Sequence, residues 1–364
     1  MMPSPPGYAS GMTLLRWLAA PLSPLYGAVV GLRNRGFDAH PQRAARAERP
    51  VISVGNLSVG GTGKTPLTLF LAQGLQEAGW PNAVVSRGYG GRRAVDPMVV
   101  SPGSMPSQVG DEPLLMAQRL GPSRVVVARR RLSGTRLALA ASEHLRVLLL
   151  DDGFQHRALH RDLDLLLLDG VRLWGDGRLL PMGDLREPMA SAGRAHALVV
   201  TRASRVKDRA AVEGWWAQHG GTGPIFWVDF QVGALRAWPT GPRLDSPVVP
   251  EEPLLAWCGL GHPEAFFADL LVAGVRWVAT YQFPDHRGPT PASFQTLQAL
   301  ARQAGAQALV CTEKDAVKLT PAHAEKLTMP LWIAEQRVLG GEALLEFILS
   351  RLRFLELSAP SPSR

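Results

Sequence analysis

Short apolar runs alternate with longer stretches of helical period along most of this chain. The runs Val51–Val54, Ala83–Ser86, Arg124–Ala128, Val147–Leu150, Leu163–Asp169 and Ala197–Thr201 predict strands. Between them, Thr65–Ala78, Ser133–His144 and Lys207–His219 predict helices. Continuous apolar strands separated by helices indicate a parallel sheet covered on both faces. Ile225–Trp238 reads as two strands, with Gly233 inside the second, and the Pro-rich stretch Pro239–Pro253 marks a domain connection. A second alternating set follows: strands Leu254–Cys258, Val275–Tyr281, Ala308–Thr312 and Leu331–Ile333, with helices near Pro263–Ala273 and Pro291–Ala304. A helix from Gly341 to Phe354 closes the chain, and the Ser/Pro-rich end reads as disordered. There is no internal repeat.

The N-terminal pattern differs. From Met12 to Leu32 the chain is mostly apolar, interrupted by Arg16, Pro21 and Pro24. A spanning helix needs about 20 largely uninterrupted apolar residues, and the basic region and cleavage site of a signal peptide are missing. The segment instead predicts an amphipathic helix in a membrane interface, with Trp17 and Tyr26 at headgroup level and arginines on phosphates. A helix packed on the domain itself is the alternative. Residues 36–50, polar and Arg-rich, lead into the first strand.

Ser58-Val59-Gly60-Gly61-Thr62-Gly63-Lys64-Thr65-Pro66 lies between the first strand and the first helix. Strand, glycine-rich turn, Lys-Thr and helix is the context of a phosphate-binding loop. The glycines let backbone N–H groups turn inward, and the helix N-terminus adds partial positive charge at the same point. Lys64 then reaches the β- and γ-phosphates and Thr65 ligates Mg²⁺. Ser58 stands where the general pattern has its first glycine. The alternating chain and this loop together predict a P-loop NTPase-like α/β fold with a parallel sheet covered by helices.

An apolar strand ending in Asp151-Asp152-Gly153-Phe154-Gln155-His156 is the second signal. Such a strand delivers a carboxylate beside the phosphate loop to hold Mg²⁺ or its waters. Two adjacent carboxylates are costly unless a cation sits between them, which favours a metal. Other polar clusters fall in loops: Ser86-Arg87-Gly88-Tyr89-Gly90-Gly91, whose glycines permit close approach to an anion, Gly110-Asp111-Glu112-Pro113, Leu185-Arg186-Glu187-Pro188, Phe283-Pro284-Asp285-His286-Arg287 and Thr312–Lys318. Taken singly, Asp111 reads as a helix cap and Arg186-Glu187 as a surface ion pair. Their position in strand-to-helix loops, where parallel sheets bind ligands, raises all of them.

Net charge is +8, which favours an anionic partner without choosing among nucleic acid, membrane and phosphorylated substrate. No recognition module supports nucleic acid. Cys258 and Cys311 sit in apolar runs without a C-x-x-C partner and read as buried, reduced side chains.

As an ordered set, the phosphate loop with its preceding Gly55-Asn56-Leu57, Ser86–Gly90, Gly110–Pro113, Asp151–His156, Leu185–Pro188, Phe283–His286 and Thr312–Lys318 resembles the tetraacyldisaccharide 4'-kinases, the lipid A 4'-kinases. The resemblance implies a peripheral enzyme at the cytoplasmic face of a Gram-negative inner membrane. It implies transfer of the ATP γ-phosphate to the 4'-hydroxyl of a tetraacylated glucosamine disaccharide 1-phosphate, giving lipid IVA. It also implies a P-loop domain joined by a two-stranded linker to a smaller C-terminal α/β domain, with ATP between them. Carried onto this chain, that organisation reads as an apolar membrane-associated segment 1–35, a kinase domain 36–224, a linker 225–240, a second domain 241–355 and a tail 356–364. Asp111 resembles the general base for the sugar hydroxyl, with His286 as its partner. Lys64 resembles the group that stabilises the transferring phosphoryl, and Thr65 with Asp151 or Asp152 the Mg²⁺ ligands. Arg131, Arg186, Glu187, Gln155 and His156 resemble positions near substrate or γ-phosphate. Arg287 and His262 depart from the family's usual residues. A P-loop ATPase or GTPase switch of the partition or metallochaperone type is the rival reading, and it gives Asp111 and His286 no work.

Overall fold

A computed structural model describes residues 21–93, 95–245, 248–260, 263–284 and 288–358. Among the described residues the strands are β1 (Val51–Asn56), β2 (Asn82–Ser86), β3 (Met98–Val99), β4 (Val125–Val127), β5 (Val147–Asp151), β6 (Leu163–Asp169) and β7 (Ala197–Thr201). They continue with β8 (Ile225–Trp227), β9 (Asp229–Trp238), β10 (Arg243–Asp245), β11 (Leu254–Cys258), β12 (Trp277–Gln282), β13 (Ala308–Thr312) and β14 (Leu331–Leu339). Two compact units emerge. The first takes residues 1–87, 130–229 and 340–364, and the second takes 88–129 and 230–339.

In the first unit the strands run in the order β2-β5-β1-β6-β7-β8, every pair parallel. β1, β2, β5, β6 and β7 are buried at every position, because helices cover the sheet and apolar side chains point both ways. The order places β1 and β5 side by side, with Val54 opposite Asp151. The phosphate loop and the Asp-Asp turn therefore leave the same edge of the sheet together. The closing helix, Glu342–Ser358, packs on helix Lys64–Glu77 at Gly74, where the Leu345 side chain occupies the space a Cβ would need. That helix extends past Phe354, where the apolar pattern ends it, so residues 356–358 are helical.

The second unit holds a six-stranded sheet, β10-β9-β14-β13-β11-β12, whose β14-β13-β11-β12 part is parallel. It also holds the short antiparallel pair β3–β4. Val275–Tyr281 predicts a strand; β12 starts at Trp277, because buried Val275 belongs to the turn before it. Cys258 and Cys311 are both free and buried in this sheet, and burial pushes the Cys258 thiol up to about 12. Both behave as small hydrophobes, as their apolar surroundings predict.

Candidate active site

The phosphate loop runs from the end of β1 to helix Lys64–Glu77. Gly63 caps that helix with φ of 82°, a left-handed conformation that glycine adopts without strain. Pro66 falls in the first turn, where a helix needs no N–H donor. Asn56 Nδ2 donates to the Ser58 carbonyl at 2.8 Å, and the Thr201 hydroxyl donates to the Thr62 carbonyl at 3.0 Å. The loop is thus held from both flanks by the protein's own hydrogen bonds.

Lys64 Nζ lies 3.1 Å from Asn56 Oδ1 and 3.6 Å from Asp152 Oδ1. Asp151 and Asp152 diverge. Asp151 is buried at the end of β5 and accepts the Ser86 hydroxyl at 3.0 Å, whereas Asp152 has a φ of 52° and turns outward. Arg186 Nη1 reaches both Asp152 oxygens, at 2.9 and 2.7 Å. Burial alone would raise the Asp152 carboxyl, but the charges of Lys64 and Arg186, the Arg186 hydrogen bond and Arg131 outweigh it and hold the group below its ordinary value. The cation expected between the two carboxylates has counterparts in the chain's own side chains. Arg131 is buried, with Nη2 3.4 Å from the Asp151 carbonyl.

The Leu185-Arg186-Glu187-Pro188 loop reaches this point by pairing with the phosphate loop. Val59 N donates to the Asp184 carbonyl at 2.8 Å, and Arg186 N to the Leu57 carbonyl at 2.7 Å. Glu187 is buried, not a surface group: Arg194 donates to both its oxygens at 2.8 Å and Asn34 to one at 2.6 Å. Asn34 sits on helix Leu22–Ala39, whose polar face docks on this loop. Ser23 donates to the Leu179 carbonyl and Tyr26 to the Arg186 carbonyl, each at 2.8 Å. Tyr26 therefore points into the protein, not to headgroup level, because its hydroxyl finds a backbone acceptor there. Trp17 lies outside the described residues.

Gln155 spans the site, donating to the Asn56 carbonyl at 2.9 Å. Burial, then the charges of Arg131, Arg161, Arg33 and Arg87, push the His156 imidazole down to about 4. His156 is thus neutral at physiological pH and serves as a hydrogen-bonding group, not as a cation.

In the second unit, Asp111 is the first residue of helix Asp111–Leu120, and Gly110 is the cap. The capping role read for Asp111 by itself does not hold. Gly110 has φ of 91° and ψ of 156°, and a Cβ on it would lie 2.5 Å from the Tyr89 carbonyl oxygen. A Cβ on Gly91 would lie 2.4 Å from that of Gln108. The close approach these glycines permit is to the protein's own backbone, and it fixes where Asp111 stands.

These geometries accompany a sequence match to the family described as tetraacyldisaccharide-1-P 4'-kinase over residues 15–353. The chain belongs to the tetraacyldisaccharide 4'-kinase family. It is 37% identical over 338 residues to the tetraacyldisaccharide 4'-kinase of Chromobacterium violaceum, covering 92% of this chain and 94% of that one. It is also 37% identical over 343 residues to the enzyme of that name from Syntrophus aciditrophicus, covering 90% and 91%. Among solved structures it resembles LpxK from Aquifex aeolicus in complex with ATP, with a TM-score of 0.72 and 30% identity over 93% of this chain and 99% of that one. The nucleotide-switch alternative is not favoured.

Within this 4'-kinase family member, His262, Asp285, His286 and Arg287 lie outside the described residues. Sequence reasoning passed over Asn56 and Arg194. Asn56 joins Lys64 to the loop, and Arg194 braces Glu187 while lying 3.9 Å over the Phe154 ring. Asn56 stands inside a recognisable motif, but nothing in the pattern around Arg194 signals its partners.

Proposed function

We propose that this chain is an ATP-dependent kinase acting on the 4'-hydroxyl of a tetraacylated glucosamine disaccharide 1-phosphate, giving lipid IVA at the cytoplasmic face of a bacterial inner membrane. The observation that carries the reading is the Lys64–Asp152–Arg186 group beside the phosphate loop in a member of this family. Backbone N–H groups from Gly60 to Thr65 cradle the phosphates, the Val59 N–H being given to the Asp184 carbonyl instead, and Lys64 neutralises charge on the transferring phosphoryl group.

Thr65 with Asp151 or Asp152 would hold magnesium through hard oxygen donors, and the ion would supply charge neutralisation at the phosphates. Among the described residues, no three or more His, Cys, Asp or Glu side chains gather into an all-protein cage. Magnesium in such sites needs only one or two carboxylates beside phosphate oxygens and water. Asp111 takes the proton of the sugar hydroxyl, and His286 relieves it, since a carboxylate of ordinary basicity is a weak base alone. Arg186, Arg131, Gln155 and His156 hold substrate or phosphate, and Glu187, bound by Arg194 and Asn34, fixes the loop that carries Arg186. Purified protein with Mg²⁺-ATP and detergent-dispersed acceptor should yield the 4'-phosphorylated product. ATP hydrolysis unaffected by the acceptor, without that product, would overturn the reading.

Membrane association is peripheral in this reading. No helix among the described residues is long and apolar enough to cross a membrane. Leu22, Leu25, Val29 and Leu32, spaced by three and four residues, form an outward stripe between 57% and 66% exposed. That stripe on a helix whose polar face is turned inward supports insertion into an anionic lipid surface, which the net charge of +8 also favours. Leu25→Glu/Val29→Glu should move protein from sedimented anionic vesicles to the supernatant with ATP affinity unchanged. Unaltered sedimentation would sink the interfacial role.

A further inference from the structure

The segment Thr312-Glu313-Lys314-Asp315-Ala316-Val317-Lys318 has no part in the chemistry above, yet it grips the helix that begins at Asp111. Glu313 takes Arg119 at 2.6 Å near one end of that helix. Lys314 takes Glu112 at 3.1 Å near the other, and Lys318 Nζ stands 3.9 Å from Asp111 Oδ2. These last two pairs differ in setting. Glu112 is 41% exposed, so its pair is solvated and weak. Lys318 is 9% exposed and stands between two carboxylates, with Asp315 Oδ1 at 3.0 Å.

Asp315 is fully buried and fixed. Its Oδ2 accepts the Gly259 N–H at 3.0 Å and the Thr312 hydroxyl at 2.7 Å. The Lys318 stem is fixed as well, because a Cβ on Gly288 would come within 2.9 Å of Lys318 Cδ. In the chain, Gly288 stands two positions after His286. At 3.9 Å Lys318 is beyond hydrogen-bond distance of Asp111. It therefore acts on that carboxylate as a charge and occupies no lone pair that an incoming hydroxyl needs.

We propose that Lys318, anchored by Asp315, is a positioning residue for Asp111, holding its carboxylate oriented to accept the proton of the sugar hydroxyl. The inference rests on the reading of Asp111 as the general base. An anchored ammonium attracts the carboxylate to one position, and that geometry removes the freedom that would blunt proton transfer.

Steady-state kinetics of the full chain with Mg²⁺-ATP and acceptor separate this role from that of a counter-ion to Asp315. Lys318→Met keeps the stem and removes the charge; kcat should fall about 10- to 100-fold, with KM for ATP within about twofold. Lys318→Arg should recover most of that loss. Because methionine leaves Asp315 buried and unpaired, the double variant Asp315→Asn/Lys318→Met removes both charges together, a change that folded proteins tolerate. It should fold and show the same fall in kcat. In an Asp111→Asn background, Lys318→Met should add less than about a twofold loss, since coupled groups are not additive. Full activity of the folded double variant, or an undiminished loss in the Asp111→Asn background, overturns the inference and leaves Asp111 as base. Wild-type turnover by Asp111→Asn alone overturns the base itself and the inference with it.

Discussion

Asp111→Ala is expected to lower kcat by about 10²- to 10⁴-fold, the usual contribution of a general base, while ATP affinity stays within about twofold. The substitution is clean for a structural reason. Gly110, not Asp111, caps the helix, so removing the Asp111 side chain exposes no uncapped helix end. The substitution also removes a favourable charge at a helix N-terminus, worth about 0.3–1 kcal/mol, and the charge 3.9 Å from Lys318 Nζ. Backbone packing of Gly110 on Tyr89 holds the helix start whatever side chain follows. Lys318 keeps its buried partner Asp315 and is not left unpaired. Titration calorimetry with a non-hydrolysable ATP analogue and single-turnover measurement of acceptor phosphorylation check the two halves. Normal turnover would show that the proton leaves by another route. Weakened nucleotide binding at equal loss of rate would place Asp111 in the donor site instead.

Much of the architecture was legible because its causes are local. Runs such as Val147–Leu150 and Leu165–Leu168 are apolar at successive positions, as a strand covered on both faces requires. The strand, glycine-rich turn and helix start around Lys64 were legible for the same reason, since they are near neighbours in sequence. The pairing of the Leu185–Pro188 loop with the phosphate loop was not legible. It depends on backbone hydrogen bonds between residues more than a hundred positions apart, such as Arg186 N to the Leu57 carbonyl. Glu187 shows the consequence. As sequence it reads as a surface ion pair or a substrate contact, yet Asn34 and Arg194 occupy it from two directions. The N-terminal segment was half legible. Its apolar stripe could be read from spacing, but which face turns inward depends on acceptors at Leu179 and Arg186 that the pattern cannot reveal. Residues 88–129 belong with the second unit, and no composition change marks that exchange.

Lys64→Ala is expected to lower kcat by about 10²- to 10³-fold, the scale on which one preorganised charge at a developing anion is felt, and to raise KM for ATP as well. Both effects follow from the same ammonium. That ammonium has partners within the protein, Asn56 at 3.1 Å and Asp152 at 3.6 Å, and its side chain is only 11% exposed. It is thus held at the loop by the protein's own groups, so in the proposed transfer little reorganisation is needed when charge builds on the phosphoryl group. Removing it also alters Asp152, whose carboxyl lies below its ordinary value because Lys64 and Arg186 outweigh burial. Losing one of these charges lets burial raise it. A group with a lowered folded value contributes stability above its unfolded value of about 3.8, lost as pH falls through the folded value. Lys64→Ala should therefore begin to lose native structure at higher pH than the parent when acid unfolding is followed by circular dichroism. Lys64→Arg separates charge from shape: a planar fork restores the charge beside Asp152 but not a compact ammonium on the phosphates. It should recover acid stability more fully than kcat. Equal recovery of both would mean that Lys64 contributes charge alone, and a Lys64→Ala enzyme of parental kcat would remove it from the transfer step.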